Sequence, residues 1–266
     1  MGSEQQPGSA RKDLAPAVTR ALGVLGILEE ADGAARSLSD IARELGIPKS
    51  SCVNICLALE QGRMIRKAAD GYLLGMRTAE LGGAYVGQFN QVREFFEVVA
   101  ASPTLRDEVV QLVMLDGEHA LYLARHEGRA PYRFGTPLGS RLPAIFSASG
   151  NALLASLDER ERSSLVDALL PAVSPVGGGD LTREVLEERL AQARERGYAV
   201  DRGWSTPGVG GVAVPLSAWN PGDPPMAMGV AIQLDALSEE RIAHVGTALQ
   251  DMAALLENPW KAAASR

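Results

Sequence analysis

Residues 37–67 read SLSDIARELGIPKSSCVNICLALEQGRMIRK, a run whose side chains suit contact with a polyanion. Lys49, Ser50 and Ser51 fall where a helix would begin, and an ammonium, hydroxyls and unpaired backbone N–H groups there can bond phosphate oxygens. Val53 and Asn54 follow toward the outer side of the same helix. Arg43, Arg63, Arg66 and Lys67 lie before and after it, spaced to reach the flanking backbone of a duplex. The candidate DNA contacts are therefore Arg43, Lys49, Ser50, Ser51, Val53, Asn54, Arg63, Arg66 and Lys67.

These residues need a scaffold, and the surrounding pattern supplies one. Ser37 and Asp40 have the spacing of a capping box, with Asp for the usual Glu or Gln, and Leu38, Ile41, Ala42 and Leu45 recur at helical period. Gly46 can take the left-handed conformation that ends this helix of about eight residues, and Pro48 suits the first turn of a second, over 48–61. Cys52, Ile55, Cys56 and Leu59 share its inner face. Strands at 64–67 and 72–74 form a hairpin, with Asp70-Gly71 favouring the turn, and a helix over 15–30 completes a three-helix core. The whole is a winged helix-turn-helix. Short helix pairs with a Gly turn also occur in proteins that never touch DNA; the wing and basic tail favour the DNA reading.

At 266 residues the chain is too long for a winged helix alone and implies a second domain of about 175 residues. With 46% apolar and 22% charged residues it can bury an ordinary core, and a net charge of -7 argues against indiscriminate coating of nucleic acid. Cys52 and Cys56, four apart on one helix face, read as small buried apolar residues; a redox pair is the lesser alternative, and no nearby Cys or His completes a metal site. No metal or cofactor is expected. No signal peptide or long apolar span is evident, so a cytoplasmic protein without membrane contact is expected.

Residues 76–101 carry helical periodicity, read as a linker helix followed by a helix entering the second domain. Gly82, Gly83 and Gly87 weaken it, which implies either a bend or a close helix contact suited to dimerisation. Beyond it, 109–115 and 119–124 form an antiparallel hairpin, 132–136 another strand, and 149–156, 158–169 and 182–197 helices. Strands at 212–216 and 226–234 precede a closing helix at 238–256, and 175–179 and 220–225 are loops. The mixture points to an α+β domain with helices packed on a sheet.

Taken in order, PKSSCVNICLALEQGRMIR, a wing ending YLLG, a hairpin, GSRLPAIFSASGNALLA, GYAVD and GVAVPLS resemble the IclR-type bacterial transcriptional regulators over nearly the whole chain. The resemblance implies a disordered tail at 1–13, a winged helix-turn-helix domain at 14–75, a linker helix at 76–90, a GAF-like or profilin-like α/β effector-sensing domain at 91–260 and a C-terminal tail at 261–266. It also implies a homodimer or dimer of dimers on a double-stranded operator. The family's usual recognition-helix Arg falls at Asn54, which can bond adenine through two edge atoms where Arg favours guanine or phosphate, and Val53 can touch a thymine methyl.

Relatives hold their ligand at a helix start matching Ala148, Ser149 and Gly150, at a turn matching Gly210 and Gly211, and at a strand matching Ala231 and Gln233. On residues alone, an ordinary capped helix is the commoner reading of 147–151. Gly211, Ala231 and Gln233 stand where relatives often carry Cys or Ser, and Arg202-Gly203-Trp204 follows Asp201 where an acidic pair is common. The expectation is a roomier pocket, poor in hydroxyls, with Trp204 as a lid and Arg133 or Arg141 neutralising a carboxylate. The effector would be an organic acid, amino acid or aromatic catabolite, bulkier or less polar than a two-carbon acid. Two competing functions are a domain that only assembles the oligomer and an enzyme. His119, His126 and His244 have no nucleophile at motif spacing, and 208–211 carries no nucleotide-binding signature.

Overall fold

The structure is a computed structural model that describes residues 14–129, 136–176, 179–220 and 222–258. The expected tails at 1–13 and 261–266, Arg133 and most of the expected strand at 132–136 lie outside the described residues. Contacts divide the chain into two compact units that meet at Val86 and Gly87.

The first unit comprises α1 (Pro16–Glu30), α2 (Leu38–Glu44), α3 (Lys49–Gln61), β1 (Ile65–Ala68), β2 (Gly71–Leu74) and α4 (Met76–Val86). Val24, Ile27 and Leu28 of α1, Ile41 and Ala42 of α2, Cys52 and Cys56 of α3 and Ile65 of β1 form its core. The Ser37 hydroxyl accepts the Asp40 N–H (3.2 Å) and donates to the Asp40 carboxylate (2.6 Å), so the reciprocal bond of the box runs between side chains. Gly46 closes α2 at φ 63°. Pro48 is the N-cap of α3 with ψ 141°, one residue before the first turn where it was expected.

The wing departs from expectation at its turn. Ala69 and Asp70 make the turn, and Gly71 sits in the ladder opposite Ala68. Arg36 runs beside it, exchanging backbone hydrogen bonds with Tyr72 at 2.9 and 3.0 Å, and a Cβ on residue 71 would lie 2.1 Å from the Arg36 carbonyl oxygen. Close backbone approach and a φ of 149°, which L side chains rarely adopt, together require this glycine. Likewise α4 passes through Gly82 and Gly83 without a break, and a Cβ on either would meet nothing within 4 Å.

The second unit begins with α5 (Asn90–Ala101), β3 (Val109–Asp116), β4 (His119–His126) and β5 (Arg141–Pro143). It continues through α6 (Ala148–Ser156), α7 (Glu159–Leu169), the short pair β6 (Ala172–Val173) and β7 (Asp180–Leu181), α8 (Arg183–Arg196), β8 (Ala199–Thr206), β9 (Val209–Leu216), β10 (Met226–Gln233) and α9 (Glu239–Leu255). Six strands form one antiparallel sheet in the order β5-β4-β3-β10-β9-β8. Neighbouring residues of β9 point to opposite faces: a Cβ at Gly211 would meet Ala148 of α6 at 3.5 Å, one at Gly210 Leu237 at 2.6 Å. Side-chain caps from Ser147, Asp158, Thr182 and Ser238 start α6, α7, α8 and α9. The sequence pattern missed β5 and β8, and Gly210 and Gly211 lie in a strand rather than the expected turn. No described helix is long and apolar enough to cross a membrane.

Candidate nucleic-acid interface and small-molecule cavity

With Cys52 and Cys56 fully buried, the opposite side of α3 faces solvent. Lys49, Ser50 and Asn54 are exposed there, and Ser51 and Val53 are half-buried at the margins. Arg66 and Lys67 are exposed on β1, and neither they nor Lys49 has a carboxylate partner among the described residues. Arg43 instead pairs with Asp40 at 2.5 Å, and Arg63 pairs with Glu80 at 3.2 Å. Bonds from the Ser37 hydroxyl and Arg43 hold the Asp40 carboxyl below the usual carboxylate range; Arg77 and then Arg63 do the same for Glu80. Such exposed pairs are weak in water, so neither arginine is bound firmly to its carboxylate.

The two thiols behind this face are free, with their sulfurs 4.0 Å apart. Burial pushes the Cys56 thiol up to about 12 and raises Cys52 as well, the condition of inert core residues. No cluster of metal-ligating side chains exists among the described residues.

In the second unit a cavity of about 40 Å³ lies between the start of α6 and the strands β3, β4, β8, β9 and β10. Six of the residues singled out in the sequence line it: Ala148, Ser149, Asp201, Gly210, Gly211 and Ala231. Four others do not. Gly150 packs away from it, where a Cβ would fall 2.1 Å from the Ala144 carbonyl oxygen. Arg141 lies on the exposed β5 and pairs with Asp116 at 2.5 Å. Gln233 is exposed at the end of β10.

Trp204 is turned from the cavity by Asp201, whose Oδ1 accepts the N–H groups of Gly203 (2.9 Å) and Trp204 (2.7 Å) while Oδ2 accepts the Ser205 hydroxyl (2.6 Å). This local turn breaks the β8–β9 register between Asp201 and Thr206, and the indole packs under the Arg189 guanidinium, 3.9 Å from the ring centroid. In this arrangement the indole does not line the cavity it was expected to cover.

Nor is the cavity poor in hydroxyls. Ser147 and Ser149 of the α6 motif line it, joined by Tyr122, Thr136, Ser205 and Thr206 from segments outside the motifs, and the small volume replaces the roomy pocket expected. Gln111 also lines it, and its Nε2 donates to the Thr136 carbonyl at 2.7 Å. A polar residue inside the apolar run VVQLVML was the available signal. Burial raises the Asp201 carboxyl above its ordinary value despite the hydrogen bonds it accepts, and burial also raises the Tyr122 phenol. Ser147 Oγ accepts the Gly150 N–H at 3.1 Å, and the first intrahelical bond runs from Asn151 N–H to Ser147 C=O at 2.9 Å. The amides of Ala148 and Ser149 precede it. The Ser149 hydroxyl, on a residue only 7% exposed, has no partner among the described residues.

Residues 17–69 match the family model described as the IclR helix-turn-helix domain, and residues 91–257 that described as the bacterial transcriptional regulator IclR C-terminal domain. The chain belongs to the IclR family of bacterial transcriptional regulators. Like other members it is a transcriptional regulator with a DNA-binding helix-turn-helix domain followed by the family's C-terminal domain.

It is 30% identical to the HTH-type transcriptional regulator XynR of Escherichia coli (strain K12), over 76% of this chain and 80% of that protein. It is 27% identical to the HTH-type transcriptional repressor AllR of Salmonella typhimurium (strain LT2), over 93% and 92% of the two chains. Among solved structures, an IclR homolog from Microbacterium hydrocarbonoxydans complexed with 4-hydroxybenzoate shares the fold with a TM-score of 0.72 at 24% identity, over 91% of this chain and 97% of its own. These relatives being transcriptional regulators points away from an enzyme, and none of the three histidines lines the cavity.

Proposed function

We propose that this IclR-family regulator binds a double-stranded operator as a homodimer or dimer of dimers, and that a small organic acid, amino acid or aromatic catabolite enters the cavity at the start of α6. In this reading 14–75 is the DNA-binding head, 76–90 the linker and 91–260 the effector domain. Arg43, Lys49, Ser50, Ser51, Arg63, Arg66 and Lys67 meet phosphate, and Val53 and Asn54 meet base edges.

The observation that carries the effector site is the unpartnered, 7%-exposed Ser149 hydroxyl beside two amides of the α6 first turn. Together they offer three donors to a carboxylate, at the positive end of a helix dipole. A cavity near 40 Å³ accommodates a group about the size of one or two waters, hence a ligand's carboxylate rather than its whole body. The 4-hydroxybenzoate held by the Microbacterium homolog supports this class. Dimer formation is supported by apolar surface left bare on the head: Val18 and Leu22 of α1 and Met76, Leu81 and Tyr85 of α4 are all more than 40% exposed. For the ligand to regulate, it must bind the DNA-competent and incompetent arrangements unequally.

The test is a thermal-shift screen of the full chain against small carboxylates, amino acids and aromatic acids, followed by retardation of its own promoter fragment. A ligand at a hundred times its Kd stabilises by about 2.7 kcal/mol. Ser149→Ala, which removes a hydroxyl with no protein partner, is expected to keep the fold and lose the shift. Equal shifts in both proteins, or no carboxylate that shifts the wild type, would overturn the assignment.

A further inference from the structure

The geometry points to a half-site read at A·T base pairs, with Asn54 on an adenine and Leu57 against a thymine methyl. At 3.6 residues per turn, burying Cys52 and Cys56 directs Ser50, Asn54, Leu57 and Gln61 along the opposite side of α3, and all four are exposed. This outward seam is uncharged. Lys49 and Glu60 lie to its flank, and Arg43 is tied to Asp40 beside α2.

Guanine is read through paired donors from Arg or Lys, which this seam does not present. An amide reads adenine by donating to N7 and accepting from the N6 amino group. The Asn54 carboxamide has no hydrogen-bond partner among the described residues and is free to do so. Leu57 is 47% exposed amid polar neighbours, although the core beneath it is filled by Cys52, Cys56 and Ile65. An aliphatic side chain in that position costs solubility for no packing gain in the free head, and the 5-methyl of thymine is the apolar feature of the major groove that matches it. Ser50 and Gln61 are compatible with this reading, since neither selects guanine through paired donors.

The inference rests on the regulator reading, with α3 in the major groove, and the experiment separates the two. Wild-type full chain is used to select duplexes from a randomised pool, followed by Asn54→Arg and Leu57→Ala. The wild type is expected to enrich a two-fold symmetric site with adenine and thymine at the helix-facing positions. Asn54→Arg is expected to replace that adenine by guanine, and Leu57→Ala to relax the adjacent thymine alone. On the selected duplex, 7-deazaadenine removes the N7 acceptor and uracil removes the methyl group. Each change at its own position is expected to weaken wild-type binding, the adenine change by roughly 5- to 150-fold. A selected site with G·C pairs at those positions, the same site chosen by Asn54→Arg, or undiminished binding to the 7-deazaadenine duplex would overturn this inference and leave the regulator standing. A wild type that enriches no sequence would overturn both.

Discussion

Gly150→Ala tests how the cavity is held. The added Cβ would lie 2.1 Å from the Ala144 carbonyl oxygen and 2.6 Å from its carbonyl carbon and Cα. Every one of those atoms is backbone, so relief requires the start of α6 to move. Overpacking of this kind costs about 1–3 kcal/mol. Moving the helix start also breaks the cap from Gly150 N–H to Ser147 Oγ (3.1 Å), a loss of about 1 kcal/mol. A total near 3 kcal/mol lowers the melting temperature of a domain of this size by roughly 6–12 °C. Because no tryptophan lies in 1–86 while Trp204 and Trp219 lie in the second unit, tryptophan fluorescence excited apart from that of Tyr72 and Tyr85 follows that unit's unfolding without a contribution from the head. The matched control is Gly82→Ala in α4, whose Cβ meets nothing within 4 Å and which is expected to stabilise that helix by about 1 kcal/mol. It should leave the tryptophan transition in place. A Gly150→Ala protein melting within about 1 °C of wild type would refute the packing argument.

Three further outcomes are expected. Lys49→Ala and Arg66→Ala should each weaken operator binding for every sequence and flatten the plot of log K against log salt by about 0.9; an unaltered slope would remove the phosphate contact assigned to that residue. Burial holds the Asp201 carboxyl above its ordinary value of 3.8, so the folded state keeps the proton to higher pH than the unfolded chain. Its contribution to stability is thus fully present below that value and is lost as pH rises through the raised one; Asp201→Asn, which can still accept the Gly203 and Trp204 amides, should flatten this decline in denaturant titrations across the window. With Cys56 pushed to about 12 and both thiols buried, neither should react with a thiol reagent until the head unfolds, and rapid native-state labelling would contradict the placement.

What the sequence by itself determined is local. Ser37, Asp158, Thr182 and Ser238 start helices where they were expected to, and α6 begins at Ala148, one residue before its expected start, because an N-cap bond spans three residues and needs nothing from elsewhere in the chain. The division of α3 into a buried apolar side and an exposed polar side follows in the same way from helical period, and the α+β character of the second domain from its alternating segments. The roles of Gly71, Trp204 and the cavity walls could not be read at that level. The backbone crowding at Gly71 emerges only when Arg36 is laid beside it, and the place of Trp204 only when Asp201 gathers the following amides and turns the indole toward Arg189. Gln111, Tyr122, Ser205 and Gly229 become neighbours through the register that sets the β3–β4 hairpin in one sheet with β8 and β10, strands far from it in the chain. A one-residue slip in any of those pairings would turn the side chains to the other face, so the chemistry of the cavity was settled by strand register, which the tertiary packing selects.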